Sequence, residues 1–176
     1  MSVTTTCRDI KQLNPVAQKA CNLFMEECKK AGLKVLITET YRSQARQNYL
    51  YEQGRTRPGN VVTWTKSSRH TSKMAWDICK NVKGQEYSDA KFFEQCGAIA
   101  KKLGITWGGT WSTPDKPHFE VTASWKAPVT TKPTSTGVEK YKKQVQDRFG
   151  FADQTIEWLA TYKSADALFT KLATKK

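Results

Sequence analysis

The sequence predicts an α+β fold: a small mixed or antiparallel sheet with flanking helices, followed by a small all-helical segment. Three observations carry this. Apolar residues recur at helical spacing in stretches opened by capping residues and closed by glycine. Short runs of branched apolar residues between them read as strands. The two kinds of stretch mix without the regular alternation that a parallel sheet requires.

The first helix opens at Asn14-Pro15, a capping side chain followed by a proline preset for the first turn. Val16, Ala20, Leu23, Phe24 and Cys28 recur on one face, and Gly32 closes the element. Lys34 to Thr40 (KVLITET) reads as a strand and Ser43 to Gly54 as a second helix. Arg55 to Arg69 is a polar, basic loop with a Pro-Gly turn. Met74 to Lys80 reads as a strand, and Ser88 or Asp89 caps a helix that runs to Leu103. Ile105 to Gly108 and His118 to Val121 complete the sheet.

The composition then changes. Ala123 to Gly137 holds two prolines and four threonines, and almost no large apolar residue after Trp125. Such a stretch is hard to pack and reads as a linker. The expected organisation is a first domain over 1–123, a linker over 124–137 and a helical module over 138–176. In the module Val145, Phe149, Ile156, Trp158, Leu159, Tyr162, Leu168, Phe169 and Leu172 could form one face. A segment this short sits near the lower limit for independent folding, so it packs on itself unusually well, dimerises, or leans on a partner.

Net charge is +13, which favours an anionic polymer as partner. The module carries eight Lys/Arg against five Asp/Glu, so most of the excess lies in the first domain. No nucleic-acid-binding motif is present, which argues against nucleic acid. No apolar run is long enough to suggest membrane insertion. Met1 to Lys11 is polar, which predicts synthesis in the cytoplasm without a signal peptide. The five cysteines show no CxxC spacing and read as free thiols, with Cys21 and Cys28 as small core residues.

The two histidines each lie in a dense polar motif: Ser68-Arg69-His70 ahead of Asp77, and Asp115-Lys116-Pro117-His118-Phe119-Glu120. Two imidazoles and one carboxylate are a common catalytic zinc set with the fourth position open to water, and they also suit non-haem iron. No other oxygenase feature is present, so Zn2+ is the expected ion. His70 on a loop and Asp77 in the following strand can meet only if the chain doubles back. Glu120 shares a strand face with His118, as an acceptor behind the metal ligand or as a surface carboxylate. Gly109 and Trp111 read as parts of a substrate cleft, Trp107 as core and Cys79 as buried filler.

These motifs carry a resemblance. S-R-H-T-S-K-M-A-W-D at 68–77, W-G-G-T-W at 107–111 and D-K-P-H-F-E at 115–120 resemble the M15 zinc peptidases, the D-Ala-D-Ala carboxypeptidase and L-alanyl-D-glutamate endopeptidase family. The family pattern is S-x-H-x-x-G-x-A-x-D, then a carboxylate three residues before a histidine. Ser68, His70, Ala75, Asp77, Asp115 and His118 match in register, and the upstream T-Y-R-S matches and supplies Arg42. The resemblance covers roughly 14–121. Lys73 stands where the family usually has glycine, which puts the shape of that loop in question.

The resemblance implies zinc on His70, Asp77 and His118, with Asp115 as general base and later acid. It implies that Arg42 holds the developing oxyanion and that Ser68 supports the site by hydrogen bonding. The implied activity is a peptidoglycan endopeptidase cutting the L-Ala–D-Glu bond. A D-Ala-D-Ala carboxypeptidase and a non-catalytic wall-binding protein on the same scaffold are the alternatives. Residues 147–172 resemble small helical segments at the C-termini of clostridial and clostridial-phage wall lytic enzymes. That implies a cell-wall-binding module and the layout of a phage endolysin of a Gram-positive host, reaching the wall after holin-type release. Anionic wall polymers are then further partners for the basic surface.

Overall fold

Four strands form one antiparallel sheet, and one face of it carries Asp77 and His118 side by side. The structure is a computed structural model that describes residues 2–128, 135–160 and 165–174. It divides into two units, Met1–Pro128 and Val129–Lys176. The division falls inside the stretch expected as a linker, of which 129–134 lie outside the described residues.

In the first unit, helix α1 (Pro15–Lys30) starts where Asn14 Oδ1 accepts the Val16 N–H at 3.1 Å. Strand β1 spans Val35–Glu39 and helix α2 Gln44–Glu52, with Ser43 as its cap. Strand β2 spans Ala75–Lys80, and helix α3 (Ala90–Lys102) is capped by Asp89, whose Oδ1 accepts the Phe92 N–H at 3.0 Å. Strands β3 (Thr106–Trp107) and β4 (His118–Glu120) complete a sheet of order β1-β2-β4-β3. Two short 3-10 turns, Ile10–Gln12 and Gly108–Thr110, carry too little periodicity to be read from sequence.

The buried face of α1 is Ala17, Ala20, Cys21, Phe24 and Cys28. The face is thus rotated from the expected one, and Val16 and Leu23 are only half-buried. Trp76, Ile78 and Phe119 project from the sheet to meet it, with the Phe24 and Phe119 rings 4.7 Å apart and Trp76 stacked on Phe119 at 6.3 Å. Phe92, Phe93 and Cys96 of α3 close the same core. All five cysteines are buried and free.

Strand alternation sends the residues between these core positions to the other face. Asp77 pairs across the ladder with His118 on one side and with Glu39 on the other. Strict period two would put Glu39 on the core face with Ile37. The register shifts between these two residues, and that bulge turns Glu39 away from the core.

The second unit contains α4 (Ser135–Phe149), α5 (Asp153–Ala160) and α6 (Ala165–Thr174). Its described centre is Val145, Ile156, Ala165 and Phe169, with Leu159 and Leu172 partly buried against it. Phe149, expected on the inner face, is exposed and stacks on Phe151 at 5.7 Å. Leu168 is half-buried. Tyr162 and the Trp158 side chain lie outside the described residues. Among the described residues no helix is long and apolar enough to cross a membrane.

Candidate metal centre

His70 reaches Asp77 because residues 68–73 form a closed turn. Thr71 N–H donates to the Ser68 carbonyl at 3.0 Å, Lys73 N–H to His70 at 3.1 Å, and Met74 N–H to Arg69 at 2.9 Å. Ser68 Oγ accepts the His70 N–H at 3.3 Å, so Ser68 shapes the turn rather than touching the ligand atoms. Lys73 takes a left-handed φ of 62° and is the one non-glycine residue with positive φ among those described. The turn therefore keeps the glycine-type shape and places a strained lysine in it. The Lys73 ammonium lies 5.0 Å from the Tyr41 ring centroid, and its carbonyl accepts the Asn14 N–H at 2.9 Å.

Three donor atoms converge as a result. His70 Nε2 and His118 Nδ1 are each 3.1 Å from Asp77 Oδ1 and 3.3 Å from each other. Zinc bonds of about 2.0–2.1 Å in a tetrahedral set give ligand–ligand edges of about 3.3 Å. The outer nitrogens fix the tautomers. His70 Nδ1 lies 2.6 Å from the Thr40 carbonyl, and His118 Nε2 lies 3.0 Å from Glu120 Oε2. Both outer partners are acceptors, so the outer nitrogens carry the hydrogens. In neutral imidazoles the inner nitrogens then present lone pairs to each other and to a carboxylate. Three acceptors aimed at one point are satisfied by a cation, and the carboxylate–histidine–metal arrangement is the usual form of such support. The residues therefore fit zinc.

The electrostatics agree. Burial opposes ionisation of Asp77, but the two imidazoles outweigh it and hold the carboxyl far below its usual range. Burial also works against a charge on His118, yet its hydrogen bonds to Asp77 and Glu120 push it up to about 9. The site attracts positive charge.

Glu120 is therefore the acceptor behind His118, and its bond to that imidazole lowers its own pKa. Asp115 lines the cleft over the three ligands. Its loop is tied down by Asp115 N–H to the Gly108 carbonyl at 2.9 Å and by Trp107 Nε1–H to the Lys116 carbonyl at 2.7 Å. A Cβ on Gly108 would stand 2.6 Å from the Asp115 carbonyl, so this close approach requires glycine. Gly109 does not line the cleft as expected: a Cβ there would collide with the Trp107 ring, and its role is packing. Trp107 packs against the core, whereas Trp111 lines the cleft with its ring 5.1 Å from His118. Burial, then the nearby Asp77 charge, raises the Asp115 pKa against the pull of His118, His70 and Arg42.

Arg42 also lines the cleft, 3.7 Å from Asp77 Oδ2. Two residues that sequence reasoning missed hold it: Glu39 Oε2 at 2.5 Å and Gln47 Oε1 at 2.8 Å. Glu39 binds Arg46 as well, at 2.8 Å, and the two guanidiniums overcome its burial to keep it ionised. A glutamate three residues before an arginine, with a glutamine five residues after it, was the available signal. Thr40, whose carbonyl orients His70, was also missed. A backbone acceptor leaves no mark in the residue type. The cleft over the site measures about 590 Å³.

A family model described as D-alanyl-D-alanine carboxypeptidase matches residues 62–121, a span that holds His70, Asp77, Asp115 and His118. The chain is 32% identical over 123 residues to the peptidoglycan L-alanyl-D-glutamate endopeptidase CwlK of Bacillus subtilis (strain 168), covering 62% of this chain and 73% of that protein. The chain belongs to the M15 peptidase family. A similar fold is seen in the crystal structure of the Serratia marcescens L-Ala D-Glu endopeptidase ChiX. That structure is 24% identical, with a TM-score of 0.52, over 67% of this chain and 89% of that one. The family model begins after Arg42, Glu39 and Gln47, so the two residues that hold the arginine are assigned by geometry.

Proposed function

We propose that the protein is a zinc-dependent peptidoglycan endopeptidase that hydrolyses the L-Ala–D-Glu bond of the stem peptide. The observation that carries this is the convergence of His70, Asp77 and His118 at about 3.1–3.3 Å, each imidazole backed by an acceptor. The choice of bond rests on CwlK, whose name states that specificity.

Zinc bound there supplies a Lewis acid and lowers the pKa of water to about 7. Asp115 takes the proton from the attacking water and returns it to the leaving amine. Burial raises its pKa above the usual carboxylate value, the direction that favours taking up a proton. Arg42 faces the oxygen on which charge develops. Glu39 and Gln47 fix the guanidinium beforehand, so no reorganisation is needed as that charge forms. Trp111 walls the cleft beside His118.

The helical unit is read as a cell-wall-binding module, and the five buried free thiols suit synthesis in a reducing cytoplasm with later holin-type release to the wall. A bacteriophage endolysin has this organisation. The +13 charge supports attraction to anionic wall polymers.

The test is zinc content of the purified protein together with mass spectrometry of fragments released from Gram-positive peptidoglycan. About one zinc per chain and new N-terminal D-Glu are expected. A second reading, D-Ala-D-Ala carboxypeptidase, is favoured by the family model's description and predicts loss of a single alanine instead. A zinc-free protein that releases nothing would leave a wall-binding protein on this scaffold.

A further inference from the structure

Trp64 is the most exposed large hydrophobic residue described, with 75% of its surface open, yet its loop is held firmly. Gln47 Nε2–H donates to the Thr65 carbonyl at 2.6 Å and to Thr63 Oγ1 at 3.3 Å from beneath. Gln44 Nε2–H reaches the Lys66 carbonyl at 2.9 Å, and Arg55 reaches the Thr63 carbonyl at 3.2 Å. The Arg55 guanidinium, 4.0 Å from the Tyr51 ring centroid, also lies 5.6 Å from that of Trp64. A side chain that only happened to be exposed would need none of this bracing. The loop presents one indole, preorganised, to water.

Trp64 also lines the same cleft as His70, Asp77 and His118. Gln47 anchors both this loop and Arg42, so the exposed ring and the charge-stabilising group share one support. Indole faces in water bind flat, C–H-rich rings and aromatic bases. The substrate's own chemistry chooses between them. In the stem peptide the L-alanine is joined through a lactyl ether to an N-acetylated amino sugar. An enzyme cutting on the far side of that alanine must therefore seat the sugar one residue from its metal.

We propose that Trp64 is the stacking platform for the muramic-acid ring of the glycan strand, making the enzyme selective for stem peptide that is still attached to sugar. This rests on the L-Ala–D-Glu reading above. A cut at D-Ala–D-Ala would lie at the other end of the peptide and leave the platform without a sugar.

The experiment compares two substrates, a stem peptide carrying the amino-sugar disaccharide and the same peptide without it, on the full zinc-loaded chain. The wild type is expected to favour the sugar-bearing substrate in kcat/KM by about fivefold, the scale of one aromatic stacking contact. Trp64→Ala should lose that preference through KM and cut the sugar-free peptide as before, and Trp64→Tyr should recover most of it. In parallel the disaccharide alone is titrated into both proteins while intrinsic fluorescence is followed. A response in the wild type that Trp64→Ala lacks supports the platform even if neither peptide is cut, an outcome that would retire the endopeptidase reading alone. Equal cleavage of both substrates by the wild type overturns the proposal. So does an equal loss on both in Trp64→Ala, or a fluorescence response to a single-stranded oligonucleotide and none to the sugar.

Discussion

The two units bury different things. In the first, Glu39, Thr40, Arg46, Gln47, His70 and His118 are buried along with the apolar core. Among the described residues of the second, the buried side chains are Val145, Ile156, Ala165 and Phe169, all apolar. A buried polar group costs free energy unless it is paired, so each must be met by a partner placed to suit it. The first unit meets this demand with a sheet and a closed turn, and the same pairing holds chemistry in place. The described residues of the helical unit make no such demand.

That contrast can be broken at either end. The largest effect is expected at Asp115. Asp115→Ala should lower kcat by about 10²–10⁴-fold while zinc content and circular dichroism stay unchanged. Full lysis of a peptidoglycan suspension by this variant would remove Asp115 from the mechanism. Phe169→Ala should cost the helical unit about 3–5 kcal/mol, enough to melt a segment with so small a core. Hydrogen exchange should then show α4 to α6 open with the first unit protected, and hydrolysis of soluble peptide should persist. Loss of that hydrolysis would mean the two units are not energetically separate.

Smaller effects sharpen the picture within the first unit. Glu39→Gln keeps the shape but loosens the hold on Arg42, so kcat should fall by up to about 10²-fold with little change in KM. A rise in KM alone would make Arg42 a substrate-binding group. Lys73→Gly should raise stability by about 1 kcal/mol in denaturant unfolding, since glycine adopts φ 62° without the side-chain clash. The smallest effect concerns pH. The Lys80 hydrogen bond, followed by the Phe92 N–H, holds Asp89 below its ordinary value. A depressed carboxyl contributes stability above its unfolded pKa of about 3.9 and loses that contribution as pH falls through its folded value. Asp89→Asn, which keeps a capping side chain, should therefore melt lower than wild type at neutral pH. The gap should close below about pH 4.

Much of this was legible in the residues, and where it was not the cause is identifiable. The helix caps at Asn14, Ser43 and Asp89 and the four strands follow from local chemistry, because a capping oxygen or a branched run acts within a few residues. His70, Asp77 and His118 were expected from their polar motifs, and Asp115 from the family pattern, because order and spacing are properties of the chain itself. Other features were decided only by tertiary structure. The bulge that turns Glu39 toward Arg42 depends on register between strands. The choice of Gly108 over Gly109 as the site glycine depends on which backbone approaches it. The carbonyl of Thr40 and the amide of Gln47 act through atoms whose direction no residue type announces. The sequence by itself determined the donor atoms and the order in which the chain supplies them. The fold decided the distances between them and which groups stand behind each one, since only packing across sheet and turn can bring residues 42, 70, 77 and 118 to one cleft.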